Sequence, residues 1–194
     1  MIIRKNFNAP PVCKKVILRY MGCHETDNSI MSLLSDCLCE AEEVFSYTAC
    51  YLELPASVNG DICDFRDFCI QSKDLARNLD GCNKTILFAA TVGVGIDRLI
   101  EKYAKISPSK ALVFQAMGAE RIEALCDQFC EEIKNEYQVN TRHRFSPGYG
   151  DLSLDLQKDI FKFLDCERKI GLTLNRSLLM TPTKSVTAFL GVCK

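Results

Sequence analysis

Apolar positions along this chain fall into short runs of two kinds, alternating and helical. Residues 15–20 (KVILRY) read as a short strand. Asp27 is placed to cap a helix reaching about Phe45, whose apolar residues Ile30, Leu33, Leu34, Leu38 and Ala41 recur at helical spacing. Residues 46–54 (SYTACYLEL) alternate as a half-buried strand does, and stop at Pro55. Residues 62–70 predict another strand, and residues 72–79 a short helix closed by Asp80-Gly81. Residues 84–90 (KTILFAA) form an apolar run that suits a central strand.

A helical pattern follows from Ile96 to about Ala104. Ser107-Pro108 then opens the longest helix, with Ser at the N-cap and Pro in the first turn. Its inward stripe is Leu112, Ala116, Ala119, Ile122, Cys126, Phe129 and Ile133. Ala116, Gly118 and Ala119 make one stretch slim enough for close packing. Residues 140–150 are irregular. Residues 152–164 predict a helix with Leu156, Ile160, Phe163 and Leu164 inward, and residues 172–175 and 185–192 predict strands around a turn-rich 180–184. Strands and helices intersperse without a βαβ rhythm. That predicts one α+β domain over residues 1–194, a mainly antiparallel twisted sheet with packed helices.

Composition narrows the partners. The formal net charge is −1, so no global field draws the chain to nucleic acid or to an anionic membrane. No apolar run approaches the roughly 20 residues that span a bilayer, and MIIRKNFNAPP has no apolar signal core. These features predict a cytosolic protein. Twelve cysteines are spread over the whole length without a CxxC. Most read as small reduced core residues, with a metal or redox role as the lesser reading.

Two segments invite a chemical reading. Thr91-Val92-Gly93-Val94-Gly95 follows a strand and precedes a helix, as a phosphate cradle does. Arg98 stands where a third glycine belongs, and Asp97 is a poor neighbour for phosphate, so a tight, closely packed turn is the better reading. The second segment is Arg144-Phe-Ser-Pro-Gly148-Tyr149-Gly150. Pro147-Gly148 favours a tight turn, leaving Arg144 and Tyr149 free to face a ligand. The guanidinium is a planar fork suited to a carboxylate, the phenol ring is a flat apolar face, and exposed turn amides read a heterocycle edge or an ammonium group. Those parts suit a zwitterionic amino acid joined to a heterocycle. A surface turn with a solvated Arg remains the plainer alternative.

Arg144-x-x-x-Gly148-Tyr149, within RFSPGYGDLSLDLQKDIFKFLD, resembles the adenosylmethionine-binding motif of the activation domain of cobalamin-dependent methionine synthase. Ile170-Gly171-Leu172-Thr173-Leu174 and the stretch from Met180 to Val186 are similar to the family's closing segments. The helix segment from Ala119 to Ala124 resembles the helix before the motif. The likeness is strongest over residues 107–190 and looser upstream, through ILRYMG. It implies the fold of that domain and S-adenosylmethionine as ligand. Arg144 would clamp the carboxylate. Ser146, Pro147 and Gly148 would give backbone contacts, Tyr149 would pack on the ligand, and Glu123 would lie near its amino or sulfonium end.

The resemblance also implies a role. Cob(I)alamin that has oxidised to cob(II)alamin is rescued by one electron, from a flavodoxin-like donor, and one methyl group from S-adenosylmethionine. Such a transfer asks the protein to position groups and exclude water. The D-x-H-x-x-G pattern of corrinoid-binding domains is missing, so cobalamin is expected on a partner, the corrinoid-binding methionine synthase subunit. His143, between Arg142 and Arg144, makes a poor metal ligand, and His24 reads as equally bland. The family's best-known form is one module of a long multidomain enzyme that continues further at its C-terminus and gains another aromatic ligand contact there. The resemblance therefore implies a stand-alone, shortened accessory subunit, a component of a methyltransferase system rather than a complete enzyme. Two other readings stay open: a docking module for a corrinoid protein that no longer binds S-adenosylmethionine, and a thiol-rich metal or redox protein.

Overall fold

The computed structural model describes residues 1–23 and 27–193; His24 lies outside them. The elements in order are β1 (Ile3–Asn6), α1 (Lys14–Tyr20), α2 (Asn28–Ala41), β2 (Thr48–Pro55), β3 (Ser57–Asn59), β4 (Ile62–Asp64), β5 (Cys69–Gln71), α3 (Lys73–Leu79), β6 (Lys84–Thr91), α4 (Gly95–Ile106) and α5 (Pro108–Tyr137). They continue with β7 (Asn140–Thr141), a single 3-10 turn (Leu154–Leu156), α6 (Gln157–Leu164), α7 (Cys166–Ile170), β8 (Thr173–Leu174), β9 (Met180–Thr181) and β10 (Ser185–Cys193). A five-stranded sheet has the order β1-β2-β6-β10-β7, every neighbouring pair antiparallel. Smaller sheets are formed by β3-β4-β5 and by β8-β9. This is the α+β, mainly antiparallel architecture expected from the sequence.

The central strand is buried on both faces, which explains its unbroken apolar run. Ile86, Phe88 and Ala90 face a cluster with Leu34 of α2 and Phe114, Leu125 and Phe129 of α5. Leu87 and Ala89 face the other way, toward Leu75 and Leu79 of α3 and Ile160 and Leu164 of α6. Successive strand residues point to opposite faces, so one strand serves both layers. β10 repeats the arrangement with Ala188 and Leu190 against Phe189. The sheet therefore lies between α5 with its neighbours and a thinner layer of α3, α6 and α7. No helix among the described residues is long and apolar enough to cross a membrane.

The structure departs from the sequence pattern at several points. Residues 15–20 are helical, in α1, and not a strand. Their β-branched residues are overridden by packing of α1 on α5, while the sheet edge is taken by β1. Residues 62–70 are two strands, reversed through Arg66 at φ 74°, whose N–H donates to Asp64 Oδ1 at 2.8 Å. α2 does begin at the Asp27 cap, which accepts from Ile30 N at 2.9 Å, but it ends at Ala41. Ser107 caps α5 without a side-chain hydrogen bond to the helix, and Leu112 is exposed where Val113 and Phe114 are buried. Phe163 is exposed too, stacked on Phe68 at 4.6 Å. Residues 140–150 contain β7 and a bridge between Phe145 and Phe189.

Glu40 ties α2 to the α4–α5 pair. Its carboxylate accepts from Lys102 Nζ at 2.9 Å, Tyr103 Oη at 2.8 Å and Lys110 Nζ at 3.3 Å. The Lys102 bond, then that of Tyr103, hold its pKa at about 2, below the ordinary 4.5. A depressed carboxyl contributes stability that is full above its unfolded pKa and is lost as pH falls through the folded one. Glu40→Gln should therefore lower stability by about 1 kcal/mol at pH 7, discounted for solvent screening. The gap should close as pH falls from 4.5 toward 2. Denaturant titrations of both proteins across that range check it.

Candidate functional site

The turn after β7 is built as its residues require. Tyr149 N–H donates to Ser146 O at 3.2 Å, closing a four-residue turn with Pro147 second and Gly148 third. Gly148 has φ 92°, a conformation that a side chain would strain. Its N–H donates to Leu152 O at 2.8 Å. The turn is fastened from outside by Asp151. That carboxylate accepts from Ser72 Oγ, from Lys73 N at 2.8 Å and from Asp74 N at 3.3 Å, at the start of α3. Its pKa is lowered by the Ser72 bond first and then by the Lys73 amide. On the other side, Phe145 exchanges two backbone hydrogen bonds with Phe189 of β10, at 2.9 and 2.8 Å.

A cleft of about 420 Å³ opens beside this turn. Arg144, Ser146, Pro147, Tyr149 and Glu123 all line it, so five of the six residues singled out from sequence converge. Gly148 does not line it; it shapes the turn while its N–H is used internally. Tyr149 stands at the rim, 67% exposed. Arg144 is the most constrained of the set. Its Nη2 donates to Glu123 Oε2 at 2.7 Å and its Nη1 to Asp127 Oδ1 at 2.6 Å. Glu123 and Asp127 are four apart on α5 and so share a face. The guanidinium is thus held in place and neutralised by two exposed carboxylates.

Two wall residues escaped sequence reasoning. Gln157, at the start of α6, is only 5% exposed, and Thr187, on β10, is 2% exposed. Gln157 Oε1 and Thr187 Oγ1 have no hydrogen-bond partner among the described residues. Both residues line the cleft with Arg144. A buried polar atom left unpaired costs about 1–3 kcal/mol, so a pair in one wall is a feature that wants an explanation. A glutamine on the inward face of α6, otherwise formed by Ile160 and Leu164, was the available signal. Thr187 had none, because its alternation in SVTAFLGV is ordinary for a strand.

The closing segment is anchored next to the cleft. Asp97, in the first turn of α4, accepts from Thr183 N at 2.8 Å and Thr183 Oγ1 at 2.6 Å. The residue that argued against a phosphate cradle is therefore committed to positioning residues 180–184. Lys184 lies across Gly118, where a β-carbon would come within 2.8 Å of Lys184 Cγ. Its Nζ donates to Gln115 Oε1 at 2.6 Å. The slim stretch of α5 thus accommodates a side chain of the segment whose Met180 and Ser185 also line the cleft.

His143 faces a neighbouring cleft of about 470 Å³ lined by Lys134, Arg142 and Arg144 together with the carboxylates Asp127 and Glu131. Among the described residues no three His, Cys, Asp or Glu side chains group as metal ligands. Of the twelve cysteines, seven are buried, including Cys37, Cys63 and Cys126. Burial pushes the Cys37 and Cys63 thiols up to about 11.

The family model described as vitamin B12 dependent methionine synthase, activation domain, matches residues 65–192, more than half of the chain. The fold is similar to a solved structure described as the MetH reactivation domain bound to AdoHcy. The TM-score is 0.71 at 14% sequence identity, over 98% of this chain and 78% of that one. No curated relative matches the chain. With the sheet order, the motif turn and the closing segment assembled around one cleft, the chain belongs to the family of vitamin B12 dependent methionine synthase activation domains.

Proposed function

We propose that the 194 residues act as one cytoplasmic unit that binds S-adenosylmethionine in the 420 Å³ cleft and supports reductive methylation of a corrinoid on a partner protein. The observation that carries this is the convergence of Arg144, Tyr149 and Glu123 with the two unpaired buried groups, Gln157 and Thr187. The ligand carboxylate takes a bidentate seat on Arg144, displacing Asp127 and Glu123. Glu123, released from the guanidinium, is then free to face the ligand's ammonium or sulfonium charge. Ser146 and Pro147 offer backbone contacts, and Tyr149 covers the ligand from the rim. The bound AdoHcy of the related solved structure supports a ligand of this class.

The partner's corrinoid supplies the methyl-accepting cobalt. This chain's part is to orient the sulfonium and keep water from it. The electron comes from a flavodoxin-like donor. The corrinoid-binding methionine synthase subunit is the partner, and the chain is a component of that system rather than an enzyme by itself. The occupied state of Arg144 favours one other reading, a docking module in which that guanidinium serves only its two carboxylates.

The test is to mix a cob(II)alamin-loaded methionine synthase lacking its activation domain with reductant and S-adenosylmethionine. Methylcobalamin absorbance should develop when this chain is added. Equal rates with and without it contradict the proposal. A second expectation concerns Gln157→Leu. Replacing an unpaired buried amide by carbon should raise stability by about 1 kcal/mol while weakening S-adenosylmethionine about tenfold. Thermal melts and calorimetric titration of the same protein check both halves; a loss of stability with unchanged affinity would make Gln157 purely structural.

A further inference from the structure

Cys82 and Cys193 sit apart from the proposed ligand cleft, and their sulfurs are 2.8 Å apart. A disulfide bond is about 2.05 Å long, so little movement separates the two states. The pair is a product of topology. Cys82 lies in the tight turn between α3 and β6, and Cys193 ends β10 where it pairs with Asn140 of β7. Gly191 leaves the space that the Cys82 sulfur fills: a β-carbon there would come within 2.9 Å of it.

A cation stands over the pair. Arg142 is held by its Nη2 donating to Asp80 O at 2.6 Å, and its guanidinium also contacts the two thiols. Cys193 is half-buried and so reachable, whereas Cys82 is buried. Burial pushes the Cys82 thiol up to about 11, with Arg142 opposing that rise, which suits the resolving rather than the attacking role. A second close pair among the described residues, Cys50 of β2 and Cys166 of α7, is fully buried in the core.

We propose that Cys82 and Cys193 are a reactive dithiol, oxidised to a disulfide by hydrogen peroxide and restored by a dithiol reductant. The Cys193 thiolate attacks one peroxide oxygen. An S–O bond forms, the O–O bond breaks, and hydroxide leaves to become water. The Cys82 sulfur then attacks the sulfenic sulfur; the S–S bond forms, the S–O bond breaks, and a second water departs with the Cys82 proton. Two thiols lose two electrons and one peroxide gains them. The reductant reverses the state through a mixed disulfide and is itself left as a disulfide. The closed bridge pins the end of β10 to the entry of β6. It also pins the segment that leads to Arg144, because Arg142 N donates to Gly191 O at 2.9 Å. This inference does not depend on the ligand assignment.

The test uses the full chain, reduced and then given one equivalent of hydrogen peroxide. Peptide mapping should find residues 82 and 193 cross-linked, with the mass lower by two hydrogen atoms. Cys50 and Cys166 should remain alkylatable after unfolding. The melting midpoint should rise by roughly 5–10 °C, since the bridge closes a long loop. Cys82→Ser should instead accumulate a dimedone-reactive sulfenic acid at Cys193. Persistence of both thiols in the treated protein, or a disulfide to any other cysteine, overturns the proposal.

Discussion

Arg121→Ala is expected to cost about 3–5 kcal/mol of folding stability, the scale seen when one partner of a buried ion pair is removed. Glu120 and Arg121 are adjacent on α5 and each is only 3% exposed. Arg121 Nε and Nη2 both donate to the Glu120 carboxylate, at 2.5 Å. Its remaining donors reach Pro10 O at 2.6 Å and Pro11 O at 2.8 Å, while Glu120 Oε1 accepts from Cys13 N at 2.9 Å. Two prolines present carbonyls with no N–H of their own, so this segment depends on outside donors, and the guanidinium provides them. Truncating Arg121 leaves a buried carboxylate and two carbonyls unmatched and loosens the N-terminal segment from α5. The double variant Glu120→Leu/Arg121→Met removes both charges and should cost less than the single one. Denaturant unfolding of the three proteins checks this; a loss below 1 kcal/mol in Arg121→Ala would mean that water reaches the pair freely.

Arg144→Ala is expected to weaken S-adenosylmethionine binding by about 1.5–3 kcal/mol, or roughly 10- to 150-fold, the worth of a charge-assisted contact. Stability should change far less, because Glu123 and Asp127 are largely exposed and water replaces the guanidinium between them. Arg144→Lys keeps the charge but loses the fork, and should recover only part of the affinity. Calorimetric titration of the three proteins reads the difference. Equal affinity in Arg144→Ala with an unchanged fold would remove the carboxylate clamp and leave the docking reading in its place.

What could be read from the chain ahead of the fold has a physical pattern. β6 and β10 were legible because their contacts with both layers are written in contiguous apolar residues. α5 was legible because Ser107-Pro108 and a long stripe mark it locally. The motif turn was legible because Pro147 and Gly148 dictate it. Features that depend on distant partners were not. KVILRY carries strand-forming residues, yet α5 holds it as a helix. The roles of Glu120 and Asp151 appear only when residues 10–13 and 72–74 are brought to them. Gln157 and Thr187 stand out in the cleft wall only because the fold buries Gln157 Oε1 and Thr187 Oγ1 without a hydrogen-bond partner among the described residues. The close approach of Cys82 to Cys193 likewise spans most of the chain, and no spacing of cysteines announces it.

Ligand binding in the cleft between α5, the motif turn and β10 is tested most directly by a crystal structure of the chain with S-adenosylhomocysteine. The amino-acid carboxylate should lie on the Arg144 guanidinium in place of Asp127 and Glu123. The Tyr149 ring should pack against the ligand, with polar ligand atoms within hydrogen-bond distance of Gln157 and Thr187. A ligand seated elsewhere, with Arg144 still held by both carboxylates and the cleft empty, would contradict ligand binding there.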